Sequence, residues 1–182
     1  KTTIIESFGA TILSLIVTSL LAYSMSRRNY SYKRILAFYV YFTTLFSGGL
    51  VPTYILNTQY LHLGNTIWIY ILPCLVSAFN VIIVKTSFQA LPEALIESAK
   101  IDGCSEIRIL FTIVIPLSQP VLATIGLMTL LGRWNEWSAS LLYIRDERLY
   151  TLQYLLQRIL REVEYINTMA DKLPGNISIM TN

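Results

Sequence analysis

The chain has 182 residues, of which 54% are hydrophobic and only 14% charged, and its net charge is +3; its mean hydropathy is +0.53. A water-soluble domain carries about a quarter charged residues, so water is not the main solvent of this one. Four of the basic residues, Arg27, Arg28, Lys33 and Arg34, crowd into one short connection, which reads as membrane topology rather than as a nucleic-acid surface.

A spanning helix needs about 20 mainly apolar residues to cross a hydrocarbon core of roughly 30 Å. Four runs meet that length, at 7–26, 35–56, 67–84 and, less cleanly, 121–144. The first is as long as a full span and has no basic leader, because Lys1 and Glu6 offset each other, so it reads as a span and not a signal peptide. The connection after it, RRNYSYKR, has four basic residues and no acid, which places it in the cytoplasm. Within the second run, Ser47, Gly48 and Gly49 suit close packing or a kink. The next connection, NTQYLHLGNT, lacks Lys and Arg and holds the single histidine, His62, so it lies outside. The third run contains Asn80, either a contact on a solute path or an interhelical hydrogen bond. Cys74 sits in this run and Cys104 in a polar connection, which argues against a disulfide, and no metal-ligand spacing occurs.

The connection at 85–120 returns to the cytoplasm and is too long for a slack linker. Pro92 and Glu93 open a helix that Gly103 ends, and Ser105 and Glu106 start another, with Pro116 and Pro120 marking its entry to the membrane. Glu93 and Glu97 are four apart, so their like charges cost an isolated helix roughly 0.2–0.5 kcal/mol. Spacing alone leaves two readings, a solvated acidic face or a face for a basic partner. Beyond the fourth run, 145–182 lies outside and carries Leu152, Leu155, Leu156, Ile159, Leu160, Val163 and Ile166 at helical spacing. That amphipathic helix either packs on the outer mouth of the bundle or meets a docking protein.

The stretch EALIESAKIDGCSEIRILFTIVIPLSQP closely resembles the EAA loop of binding-protein-dependent ABC importers: Glu-Ala-Ala, three residues, Gly, nine residues, Ile-x-Leu-Pro. Glu97, Ser98 and Ala99 take the first places, Gly103 follows, and Ile113 and Pro116 complete the pattern; Ser98 and Ile115 depart from it by small changes of volume. The following IDGCSEIRILFTIVIPLSQPVLATIGLMTLLGRWNEW, together with YTLQYLL, is similar to the carbohydrate, maltose-like branch of that family.

The resemblance implies an all-α polytopic transmembrane bundle of the type I ABC importer permease kind, with a cytoplasmic coupling helix at Glu93 to Gly103. Glu93, Ala94, Glu97, Ser98, Ala99, Asp102, Gly103, Ile113 and Pro116 are then the residues expected to pass nucleotide-driven motion to the spans, with Ala94, Ser98 and Ala99 allowing close backbone approach. It also implies the partners: a second permease subunit in a heterodimer, two ATP-binding subunits that use ATP and magnesium, an external solute-binding protein, and the lipid of a bacterial plasma membrane. The chain itself shows no GxxxxGK[ST], HExxH or GxSxG pattern, so catalysis is expected elsewhere and no cofactor of its own. The similarity matches spans two to five of six, which leaves a first and a last span expected outside this sequence.

Counting from Val121, the fourth crossing must include Arg133, Trp134, Asn135, Glu136 and Trp137. Arg133 and Glu136, three apart, can pair. Charges at membrane depth cost roughly 2.5–3.5 kcal/mol each and mark a water-lined cavity, where rings and amides suit sugars. A span that begins near Ile107 would instead make this cluster an interfacial belt.

Overall fold

The computed structural model describes residues 1–27 and 30–172, and the expected terminal segment beyond 172 lies outside the described residues. Helix α1 (Thr2–Ser26) is 25 residues long, and is long and apolar enough to cross a membrane by itself. Its inward face is built of small and hydroxyl residues, among them Ser7, Ala10, Thr11, Ser14, Thr18 and Ala22, while Ile5, Phe8, Ile12 and Ile16 are exposed. This inverts the pattern of a soluble helix. In lipid, large apolar chains gain nothing by avoiding the solvent, whereas small inward residues let neighbouring backbones approach. Helix α1 is the central post, packed most extensively on α5 (Ala78–Gln89) and α9 (Gln119–Trp134).

Three further helix pairs reach spanning length only when the two bent halves of each are counted together. Helices α2 (Lys33–Leu45) and α3 (Leu50–Ile55, extended by a π turn to Tyr60) meet at 117°. The bend falls at Gly48 and Gly49, and Gly49 adopts a φ of +84°, which an L side chain resists; the glycines serve as a kink. Helix α4 (Trp68–Ile71) tightens into a 3₁₀ turn through Pro73 and meets α5 at 51°. Ser77 caps α5 by accepting from the Asn80 backbone N–H at 3.5 Å.

Between α5 and the last crossing stands α6 (Glu93–Ile101). Helix α7 (Glu106–Ile109) runs through a π turn into α8 (Ile115–Leu117) and bends by 83° into α9. Pro116 and Pro120, which lack the N–H that a continuous ladder needs, sit on either side of that bend. The reading of one crossing over 121–144 therefore changes. The helical segment starts at Glu106, α9 ends at Trp134, and a turn over 135–137 leads to the separate α10 (Ser138–Tyr143). The last element, α11 (Leu152–Lys172), leaves the bundle.

Candidate functional site: the coupling helix and the junction of α9 and α10

Helix α6 has its charges where the helix dipole favours them, Glu93 in the first turn and Lys100 in the last. It closes in a Schellman turn: Cys104 N–H donates to Ala99 O at 2.9 Å and Gly103, at φ +78°, takes the left-handed position. No atom lies near where a Gly103 side chain would stand, so backbone conformation and not space selects glycine.

Only two α6 residues face inward. Ile96 and Ala99 are 4% and 6% exposed and pack in a core with Ala22, Phe88, Ile109 and Leu110. Ala99 thus grips the bundle, which corrects its expected place on the outer approach surface. Ala94, Leu95, Glu97, Ser98, Ile101, Asp102 and Gly103 are exposed, with Ile101 at 86%. Ile113 and Pro116 lie away from this surface. Ile113 is half-buried in the π turn against the same core, and Pro116 is exposed on α8. They belong to the stem that joins α6 and α7 to α9.

The residue that fixes α6 to the spans was not singled out by the sequence. Glu106 pairs with Lys100 Nζ at 2.5 Å and accepts from the Tyr23 hydroxyl at 2.6 Å. One carboxylate thereby ties α6, α7 and the C-terminal end of α1 together. Lys100 and Glu106 flank the Gly103 turn at a spacing no single helix explains, and Tyr23 is 83 residues from Glu106. The charge pair across a glycine stop was the available signal, and only the fold supplies the tyrosine.

At the opposite end, the cluster at 133–137 is held mainly by bonds within the chain. Glu136 caps α10, accepting from Ser138 N at 2.8 Å, Ser138 Oγ at 2.5 Å and Ala139 N at 3.3 Å. Arg133 donates to Cys74 Sγ at 2.7 Å and lies 3.9 Å from Glu136, so its nearer partner is the thiol on the neighbouring crossing. Asn135 accepts from Gln153 at 3.3 Å, and the Trp137 ring lies 5.0 Å beneath the Arg161 guanidinium. Trp134 is half-buried at the last turn of α9. Asn80 donates to Thr129 Oγ1 at 3.4 Å, an interhelical bond between α5 and α9. Asn80, Arg133, Ser14, Ser77 and Thr129 also line a cleft of about 240 Å³. Among the five at 133–137, Arg133 alone reaches it.

Helix α11 starts on this junction, where Leu152 N–H donates to Thr3 Oγ1 at 2.9 Å. Farther along its apolar stripe, the described residues leave Leu156, Ile159, Leu160 and Ile166 at least half exposed.

The family model described as "Binding-protein-dependent transport system inner membrane component" matches residues 3–170, nearly the whole described chain. The chain belongs to that family. Among relatives of this inner membrane component, the polygalacturonan/rhamnogalacturonan transport system permease protein YtcP of Bacillus subtilis (strain 168) is 44% identical over 82% of this chain and 52% of its own length. The arabinooligosaccharides transport system permease protein AraQ of the same organism is 28% identical over 82% of the chain and 54% of its own. A solved bacterial ABC transporter involved in the import of the acidic polysaccharide alginate has a chain that superposes with a TM-score of 0.78 at 27% identity, covering 93% of this chain and 63% of that one. The chain thus spans about half the length of the curated relatives it matches. The fold is that of an ABC importer permease.

Proposed function

We propose that this chain is the bundle core of a permease that imports an oligosaccharide across a bacterial plasma membrane, driven by ATP hydrolysed in two partner subunits. The carrying observation is α6: a nine-residue helix gripped on one side by Ile96 and Ala99, tied by Glu106 to α1, and exposed on the other. Ala94 and Ser98 permit close approach, and Leu95 and Ile101 offer apolar area to be covered. A push on such a helix has a rigid route into the spans, through the Lys100–Glu106–Tyr23 tie to α1 and through the π turn to α9.

In this reading a second permease chain completes the pore and an external solute-binding protein delivers the sugar. Magnesium and ATP act in the ATP-binding subunits, which receive α6 in a groove. Closure of those subunits turns the path outward, and hydrolysis resets it. Relatives named for polygalacturonan, rhamnogalacturonan and arabinooligosaccharide transport support a carbohydrate solute. The 240 Å³ cleft at Arg133 and Asn80 is the part of this chain we assign to the solute path. Proteoliposomes holding the assembled complex should accumulate labelled oligosaccharide only with ATP and binding protein both present. Flow down a gradient without ATP would overturn the reading in favour of a channel.

A further inference from the structure

Glu6 stands on the inward face of α1 and is fully buried. Neither oxygen of its carboxylate has a hydrogen-bond partner, and the Ser7 hydroxyl beside it lacks the geometry of one. An ionised carboxylate in such a place is costly unless a cation completes it. The charges that act on it are Arg133, which attracts, and Glu136, which repels. Along α1, Glu6, Ala10 and Ser14 follow one another at four-residue steps on the inward face. Ser14 lines the cleft with Arg133, and Glu6 stands about two turns farther along, off the cleft wall.

Arg133 is itself poorly served. Its Nη1 donates to Cys74 Sγ at 2.7 Å, and a thiol is a weak acceptor. Its Nη2 stands 3.9 Å from Glu136 Oε2, beyond hydrogen-bond reach. Glu136 cannot come closer without giving up the cap, because its Oε1 accepts from Ser138 N, Ser138 Oγ and Ala139 N. Glu6 has no such bond to lose. Cys74 feels the charge of Glu6 as well as that of Arg133, so the unpartnered acid and the underused guanidinium share one neighbourhood.

We propose that Glu6 is the alternative counter-ion of Arg133: the guanidinium exchanges between Cys74 in the cleft and Glu6 behind it, and Glu6 is thereby a positioning residue that sets how often Arg133 is offered to a sugar. In the cleft Arg133 presents its donors to solute oxygens. Withdrawn to Glu6, it leaves the neutral side chains of Ser14, Ser77, Asn80 and Thr129 on the wall. A solute must then compete with Glu6 for the guanidinium, which weakens its binding by the fraction of time Arg133 is in the cleft and eases its release. The role toward the sugar rests on the assignment of that cleft to the solute path, whereas the pairing of Glu6 with Arg133 does not.

The test is a mutant cycle in the full transporter complex, read by Tm and by oligosaccharide uptake in proteoliposomes. Arg133→Gln strands the buried acid and should lower Tm by roughly 5 °C, or prevent assembly outright. Adding Glu6→Gln should recover most of that loss, in Tm or in assembly, whereas adding Glu136→Gln should not. In uptake, Glu6→Gln alone should lower KM by roughly twofold to tenfold, because the solute no longer competes for the guanidinium. In the Arg133→Gln background the same change should leave KM where it is. No recovery by Glu6→Gln, or equal recovery by Glu6→Gln and Glu136→Gln, would overturn the proposal. So would a Glu6→Gln change that is silent in both backgrounds, the result expected of an acid that keeps its proton throughout. Recovery of Tm with the same KM in wild type and Glu6→Gln would uphold the pair and fault the assignment of the cleft to the solute path.

Discussion

Both ends of the bundle carry acids, small residues and apolar chains, yet they use them differently. At the junction of α9 and α10 Glu136, Asn135 and Trp137 are engaged inside the chain, as helix cap, hydrogen-bond acceptor and cation–π ring. At α6 the motif residues Glu97, Ser98, Asp102 and Gly103 stand exposed while a small inner set does the holding. A surface whose polar and apolar groups are left uncovered is available to another molecule, and one whose groups are consumed is a brace. The difference supports the proposed coupling role of the α6 end and leaves the junction of α9 and α10 as a brace.

The largest expected effect comes from Gly103→Val. A β-branched residue in the left-handed conformation costs on the order of 1–2 kcal/mol or more at that position, enough to unwind the end of α6. ATP-driven uptake should drop by an order of magnitude or more while the complex goes on hydrolysing ATP without regard to solute. Normal solute-stimulated hydrolysis with normal uptake would break the contrast between the ends.

Next come two substitutions on opposite faces of α6. Ala99→Leu overfills the inner core and should cost about 1–3 kcal/mol, read as a lower Tm of the purified chain. Ser98→Leu should leave Tm unchanged and reduce capture of the ATP-binding subunits. If both behaved alike, the assignment of inner and outer faces would fail.

Glu136→Gln removes a charged cap and should cost about 1 kcal/mol of stability with an unaltered uptake KM. A raised KM at unchanged Tm would make Glu136 a solute contact and erase the distinction drawn here. The smallest effect belongs to Asn80→Ala, roughly 0.6 kcal/mol for an interhelical bond in a membrane. A double-mutant cycle with Thr129→Val should show that the second change adds little to the first.

The first long helix was legible in the sequence because a bilayer imposes a length, and α6 because Pro92 and Gly103 punctuate it. The bends were only half legible. Gly48, Gly49, Pro116 and Pro120 announce weak points, but the angle at each depends on what packs across it. Side-chain partners were least legible where they come from distant segments. Arg133 paired with Glu136 on sequence spacing, and the fold keeps that pair at 3.9 Å while adding a nearer partner that spacing could not show, Cys74, 59 positions away. The stripe on α11 was visible as a pattern, yet periodicity does not say what covers it, and the described residues leave Leu156, Ile159, Leu160 and Ile166 at least half exposed.

The central claim is that the outer face of α6 receives the thrust of an ATP-consuming subunit. Site-directed cross-linking tests it most directly, with Ser98→Cys placed in the full transporter and the native Cys74 and Cys104 replaced by serine. The account predicts a cross-link from position 98 to an ATP-binding subunit whose yield changes between the nucleotide-free and ATP-bound complex. Labelling of that cysteine by a membrane-impermeant thiol reagent from outside intact cells, with no cross-link in either state, would contradict it.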